Sequence, residues 1–319
     1  MSIKTKIFTN AMKIIKKDKK SVFYLLYYAA IEAVLILSIP LASSFIINSV
    51  LAHAKISVFV LGLVVIITFI LVIFLKIFQE YIVENFQQKI FVNTGIEVME
   101  LTSELRDNTP ETKASLDKYM NYFFDVISIQ KVLPVVLLDG AGLFMKIIVS
   151  LILLFVFNPI LFVSALILFI VYSYLLIYFG KHGIESAVQR SDAKHKSIYY
   201  LQNIHKSDQS REEILEAYDG YLTEFVKTRK NTFNIIIRQL SITFLMEGII
   251  LSGFLILGAS LVISGVLPIG EFVAAEIIVV SIVYALKILV KQIDYIYDMI
   301  EGFYKLDKLS VTLGDKSHA

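Results

Sequence analysis

The sequence predicts an all-α membrane protein with six transmembrane helices and two long cytoplasmic helical hairpins. This prediction rests on the composition, on six long apolar runs, and on helical periodicity in the two longest polar stretches. Of the 319 residues, 57% are hydrophobic and only 18% are charged, and the mean hydropathy is +0.72. A water-soluble domain of this length is far less apolar. The chain is therefore expected to lie in a lipid bilayer.

The residue inventory argues against several classes of function. The chain has 30 Lys and Arg residues and 28 Asp and Glu residues, which gives a formal charge of +2. A protein that binds nucleic acid usually has a strongly positive charge, so this balance argues against that function. With no cysteine, the chain has no disulfide, thiolate zinc site or iron–sulfur cluster, and its five histidines are scattered. No nucleophile, base and orienting group recur at a catalytic spacing. We expect no catalytic residue, no metal site, no cofactor and no nucleic-acid partner on this chain.

Six stretches are long enough to cross a bilayer. A spanning helix needs roughly 20 mainly apolar residues, because about 30 Å of hydrocarbon is crossed at about 1.5 Å per residue. Pro40 breaks the first stretch, whereas Pro159 suits the first turn of the fourth. The three outer connections are short. The spans are predicted at 21–50, 58–75, 132–157, 159–179, 234–263 and 268–290.

Basic residues set the expected orientation, because they accumulate in cytoplasmic segments. Seven lysines precede the first span, five basic residues lie between Gln79 and Lys131, and ten lie between Lys181 and Arg238. The outer connections hold only Lys55. We therefore expect both termini and both long loops to be cytoplasmic, in a bacterial inner (plasma) membrane.

Three units follow from this layout. Residues 1–20 predict a basic amphipathic elbow helix on the inner leaflet, and a plain basic tail is the alternative. Residues 21–310 form the six-helix domain, and residues 311–319 form a C-terminal tail. The apolar face of the elbow lies opposite its lysines and consists of Ile3, Ile7, Phe8, Met12 and Ile15.

The two long loops have apolar residues at three- and four-residue spacing, which indicates helical hairpins standing in the cytoplasm. The helix after the second span is expected to project some 20 residues, roughly 30 Å, past the bilayer. At the first tip, Thr109, Pro110 and Glu111 predict the start of a short new helix. At the second tip, Ser210 and Glu213 fit a capping box, which predicts another short helix or a helix restart.

This layout resembles the transmembrane domain of the type I ABC exporter family, over essentially the whole chain. The most specific stretch is similar to the family pattern LxxGxxLVxxGxLxxGxF, and it consists of Leu255, Gly258, Leu261, Val262, Gly265, Leu267, Gly270 and Phe272. The resemblance implies that the tips are coupling helices that dock on an ATPase. The docking residues it implies are Thr109, Pro110, Glu111, Asp208, Ser210, Arg211, Glu212 and Glu213.

The sequence departs from that family in containing no nucleotide-binding domain. It has no Gly-x-x-x-x-Gly-Lys-Ser/Thr loop to cradle phosphate, and its one Gly-Lys pair, Gly180-Lys181, is followed by His182. We therefore expect a non-enzymatic, membrane-spanning subunit of a split exporter, acting as a homodimer among membrane lipids. ATP and Mg²⁺ would bind to a separate ABC ATPase subunit. A periplasmic adaptor protein is a further partner that the resemblance implies.

Charged residues inside spans cost about 2.5 to 3.5 kcal/mol each at a helix centre and invite a functional interpretation. Lys146 is the one deeply placed base, whereas Lys76 and Lys287 lie nearer span boundaries, where an ammonium group can reach water. Pairing across helices and a role in transport both remain open for the acids. The candidate residues of the translocation path are Glu32, Asp139, Glu247 and Glu276.

Two alternatives to the split exporter stay open at this point. The first is a proton-driven carrier that uses the exporter fold without an ATPase, with Glu32, Glu247 and Glu276 as proton sites. The second is a membrane scaffold that does not transport. The sequence does not identify a substrate.

Overall fold

The computed structural model describes residues 9, 11, 12, 14–53, 58–103 and 110–314, and this part of the chain is helical and contains no strand. The described residues before Asp18 are helical, and a 3₁₀ turn covers Ile204–Lys206. The α-helices that follow Asp18 are α1 (Lys19–Ile36), α2 (Ser38–Leu51), α3 (Val58–Ser103), α4 (Pro110–Phe157), α5 (Pro159–Phe179), α6 (Gly183–Asn203), α7 (Arg211–Ile263), α8 (Ile269–Lys291) and α9 (Ile293–Gly314).

Six helical segments among the described residues are long and apolar enough to cross a membrane, and each contains most or all of one predicted span. The chain is thus a multi-pass, all-α membrane protein, as predicted. Many large apolar side chains point away from the protein, such as Ile177 and Tyr174 of α5, which are 73% and 66% exposed. Such side chains are compatible with contact with lipid, where only the helical backbone must satisfy its own hydrogen bonds. The six segments are Lys19–Leu51, Phe59–Ile96, Ile129–Phe157, Pro159–Asn203, Arg211–Ile263 and Ile269–Lys291.

Local sequence explains where the helices break. The first span divides at Leu37, three residues before Pro40, because the proline ring clashes with the carbonyl of the residue four positions earlier and supplies no N–H. Asn158 caps α5, because its Oδ1 accepts a hydrogen bond from the N–H of Ile160 at 2.8 Å, and Pro159 is the first helical residue.

Gly265 and Gly270, two glycines of the LxxGxxLVxxGxLxxGxF stretch, lie where α7 turns into α8. Gly265 has φ +74°, and the N–H groups of Gly265 and Val266 donate to the carbonyls of Val262 and Leu261, which is the Schellman arrangement. Gly270 lies so close to α2 that a Cβ would overlap the carbonyl of Ser44. The N–H of Gly270 donates to Asn48 Oδ1 at 2.9 Å. Gly265 therefore allows the turn, and Gly270 allows the close contact between α8 and α2.

The buried core has two main parts along the bundle. One part joins α4, α5, α7 and α8 through residues such as Phe169, Phe254 and Ile282. The other joins α1, α3, α4 and α9 through residues such as Phe86 and Phe303. Because α4 and its neighbours continue from one part into the other, packing ties the membrane helices to their extensions.

Three sequence expectations are changed or limited by this structure. The helix beginning at Pro110 is not short, because it continues without a break to Phe157. In the predicted elbow, the described residues are helical and Ile15 packs against buried residues of the second core part. Its placement on the inner leaflet stays a prediction. Residues 315–319 of the predicted tail lie outside the described residues.

Candidate translocation path and docking tips

Two helical hairpins extend well beyond a membrane crossing. Helices α3, α4 and α7 contain 46, 48 and 53 residues. Because a crossing takes about 20 residues, more than half of each helix lies outside the hydrocarbon. The hairpins are α3 with α4, and α6 with α7. These rigid extensions connect the membrane region directly to the predicted docking tips.

The second tip is an exposed turn fixed by the predicted capping box. The N–H of Ser210 donates to Glu213 Oε2 at 2.8 Å, and the N–H of Glu213 donates to Ser210 Oγ at 3.3 Å. The bond from the Ser210 backbone lowers the pKa of the Glu213 carboxyl. Since Ser210 and Glu213 serve the cap, Asp208, Arg211 and Glu212 are the exposed charged groups left for a partner.

The first tip is only partly described. Thr109 lies outside the described residues, and Pro110 and Glu111 are the first two residues of α4. The structure describes this helix from Pro110 onward. The docking role of both tips stays a prediction.

A buried arginine joins the second hairpin to the helix that follows the sixth span. Arg190 of α6 donates to Glu301 and Asp298 of α9, each at 2.5 Å, and to Asp294 at 3.2 Å. Arg229 of α7 also donates to Asp294, at 2.9 Å. We call these five residues the Arg190 cluster. The cluster thus holds the α6–α7 hairpin against α9.

Burial and charge act in opposite directions in the Arg190 cluster. Burial disfavours the charged guanidinium, but the carboxylates of Glu301 and Asp298 outweigh it and raise the pKa of Arg190. Burial raises the pKa of Glu301 despite Arg190. Sequence analysis missed this cluster. The detectable signal was the spacing of Asp294, Asp298 and Glu301, which puts three acids on one helical face.

Two of the four acids predicted for the path line one cavity. Glu32 lies 3.6 Å from the Lys76 ammonium, and Asp139 accepts from Gln292 Nε2 at 2.8 Å. Lys146 reaches the carbonyl of Ser281 at 3.5 Å. A cavity of about 300 Å³ lies between α1, α3, α4 and α8, and its polar lining includes Glu32, Lys76, Gln79, Asp139 and Lys146. We call it the polar cavity.

The other two acids lie apart from the polar cavity and differ from each other. Glu247 of α7 accepts two hydrogen bonds from the Lys287 ammonium of α8, at 2.8 and 2.9 Å. Lys287, which the sequence places near a span boundary, is 27% exposed and paired with Glu247. Glu276 lines a second, more open cavity of about 530 Å³ on α8, which shares Tyr284 with the polar cavity. The four candidates therefore do not form one cluster, and among the described residues no His, Cys, Asp and Glu group fits a metal ion.

Comparison with solved structures identifies the fold. The chain is similar to a bacterial Atm1-family ABC exporter solved with ATP bound, with a TM-score of 0.69 and 11% sequence identity. The match covers 93% of this chain and 54% of that exporter, so the chain spans about half of its length. No protein-family model and no curated protein matches the sequence. The fold is that of a type I ABC exporter transmembrane domain, as the sequence predicted.

Proposed function

We propose that this chain is the membrane-spanning subunit of an exporter, that two copies form the pathway, and that a separate ABC ATPase chain docks on the hairpin tips. The exporter fold supports this proposal. The 319 residues contain no phosphate-binding loop, and in this proposal the ATP and Mg²⁺ site belongs to the partner chain. Both termini and both tips face the cytoplasm in this proposal.

The observation that carries the proposal is the unbroken course of α7. It runs from Arg211 at the exposed tip, past Arg229 of the Arg190 cluster and Glu247, to Ile263 at the opposite end. An α-helix satisfies its backbone hydrogen bonds internally and transmits a displacement along its length. Closure of two ATPase chains would draw the tips together, and the Arg190 cluster would move α9 with them. The bundle would then change from inward to outward access.

The proton-driven alternative draws less support from the geometry. Of its three proposed proton sites, Glu32 and Glu247 each face a lysine, and the Glu247 pair is bidentate. Glu276 is the remaining candidate. Proteoliposomes containing the chain alone separate the two functions, because uptake driven by a pH gradient without ATP would support the carrier and contradict the exporter.

A charge reversal at the tip tests the ATPase partnership. The double variant Arg211→Glu/Glu212→Lys should still insert but should lose stimulation of the partner's ATPase by substrate, and transport should fall at least tenfold. Lys227→Glu is the matched control, since Lys227 is exposed on the stem of the same helix. Its transport should match wild type. Normal transport by the tip variant would contradict docking at this tip.

A further inference from the structure

We propose that Glu276 and the cavity around it bind a lipophilic cation, such as an ammonium or phosphonium ion carrying aromatic groups. This names a substrate class for the proposed exporter and therefore rests on the proposed function. We call this site the Glu276 cavity. It is a groove on α8 that is open to the surface, with one lining residue, Leu255, from α7. Its lining on α8 consists of Phe272, Val273, Ile277, Val280, Ser281 and Tyr284.

The carboxylate of Glu276 lacks the partners that the other predicted acids have. Its Oε1 is buried without a hydrogen-bond donor, and no ammonium or guanidinium group among the described residues forms an ion pair with it. By contrast, Glu32 faces Lys76, and Glu247 holds Lys287 in two hydrogen bonds. An acid at membrane depth is costly without a partner. The missing partner at Glu276 is a positive charge.

The walls of the cavity select an apolar ligand. Leucine, valine, isoleucine, phenylalanine and tyrosine side chains make up nearly all of its lining. Its volume of about 530 Å³ lies within the roughly 300–1,000 Å³ typical of small-molecule sites. A small hydrated cation would leave these walls unfilled, and a neutral apolar molecule would leave the carboxylate unpaired. An ion with a delocalised charge and apolar substituents satisfies both.

The aromatic part of the wall is positioned by a glycine. Phe272 of α8 lies directly against Gly258 of α7, where a Cβ would overlap its ring. Phe272 is one helical turn from Glu276, and Tyr284 is two turns beyond it, so both rings are on the carboxylate's side of α8. Aromatic faces attract cations within about 6 Å. The small residue at 258 therefore shapes a cation-binding wall as well as a helix contact.

Binding of tetraphenylphosphonium to the purified protein tests this site. Equilibrium dialysis, with binding to protein-free micelles subtracted, should give saturable binding to wild type and at least about tenfold weaker binding to Glu276→Gln. Glu276→Asp should retain most of the affinity. Glu271→Gln is the control, since it makes the same change on α8 outside the cavity. Tetraphenylborate, which has the same shape and the opposite charge, should not bind saturably.

Two outcomes would overturn the proposal. One is equal tetraphenylphosphonium binding by wild type and Glu276→Gln. The other is no saturable binding by wild type; a change of oligomeric state in Glu276→Gln would then assign the cavity to a second copy of the chain. Failure of this site and failure of the proposed function give different results. Saturable binding at Glu276 by a chain that binds no ATPase would support the binding site and contradict the exporter function.

Discussion

Acidic side chains have opposite surroundings in the Arg190 cluster and in the Glu276 cavity. In the cluster, three carboxylates of α9 meet Arg190 and Arg229, and Lys194 lies 3.6 Å from Glu301. In the cavity, one carboxylate faces apolar walls and meets no cation of the described chain. A buried charge with partners fixes the position of helices, whereas one without partners is available to a ligand. This contrast separates the structural acids from the candidate binding acid.

The largest effect is expected in the cluster. Arg190→Met should lower the free energy of unfolding by about 3–5 kcal/mol, because it leaves the buried Glu301 and the partly exposed Asp298 without their guanidinium group. Thermal unfolding in detergent measures the loss. Arg229→Met is the control and should cost about 1 kcal/mol or less, since Arg229 is more exposed and contacts only the edge of the cluster. Equal effects of the two changes would show that burial of Arg190 is not what matters.

The Glu247–Lys287 pair should lie between the two extremes. Glu247→Gln alone should cost about 1–2 kcal/mol, because it leaves the half-buried Lys287 ammonium without its carboxylate. The double variant Glu247→Gln/Lys287→Met should recover part of that loss. A double-mutant cycle of unfolding midpoints gives the coupling. Strict additivity would mean that the pair contributes nothing to stability.

The smallest change, and one of opposite sign, is expected at Glu276. Glu276→Met removes an unpaired carboxylate from an apolar cavity and should leave stability unchanged or raise it by up to about 1 kcal/mol. The same unfolding assay checks it, with Glu271→Met as the control. A loss similar to that of Arg190→Met would show that Glu276 has a structural partner and would remove the contrast.

Local features were predictable from sequence, and long-range pairings were not. The capping box at Ser210, the start of α4 at Pro110 and the break before Pro40 depend on residues within a few positions of one another. The partners Arg190 and Glu301 are 111 residues apart, and Glu247 and Lys287 are 40 apart. Which acid meets which base depends on helix packing and rotation, which periodicity does not encode.

For the predicted translocation-path residues, too, the sequence predicted the positions in the chain and not the surroundings. Apolar runs located Glu32, Asp139, Glu247 and Glu276 inside spans, but their distribution over a polar cavity, an ion pair and an apolar cavity required the packed helices. The length of the helix after Pro110 was underestimated for a related reason. A capped start predicts where a helix begins, and packing along α4 decides how far it continues.

Movement of the tips in response to ATP is the most direct test of the central claim. Because the chain has no cysteine, Glu216→Cys near the second tip gives one background-free label per copy. Pulsed electron paramagnetic resonance would measure the distance between labels in the reconstituted dimer with its ATPase chain. The account predicts a shorter distance when the ATPase is trapped with ATP than in its nucleotide-free state. The same distance in both states would contradict it.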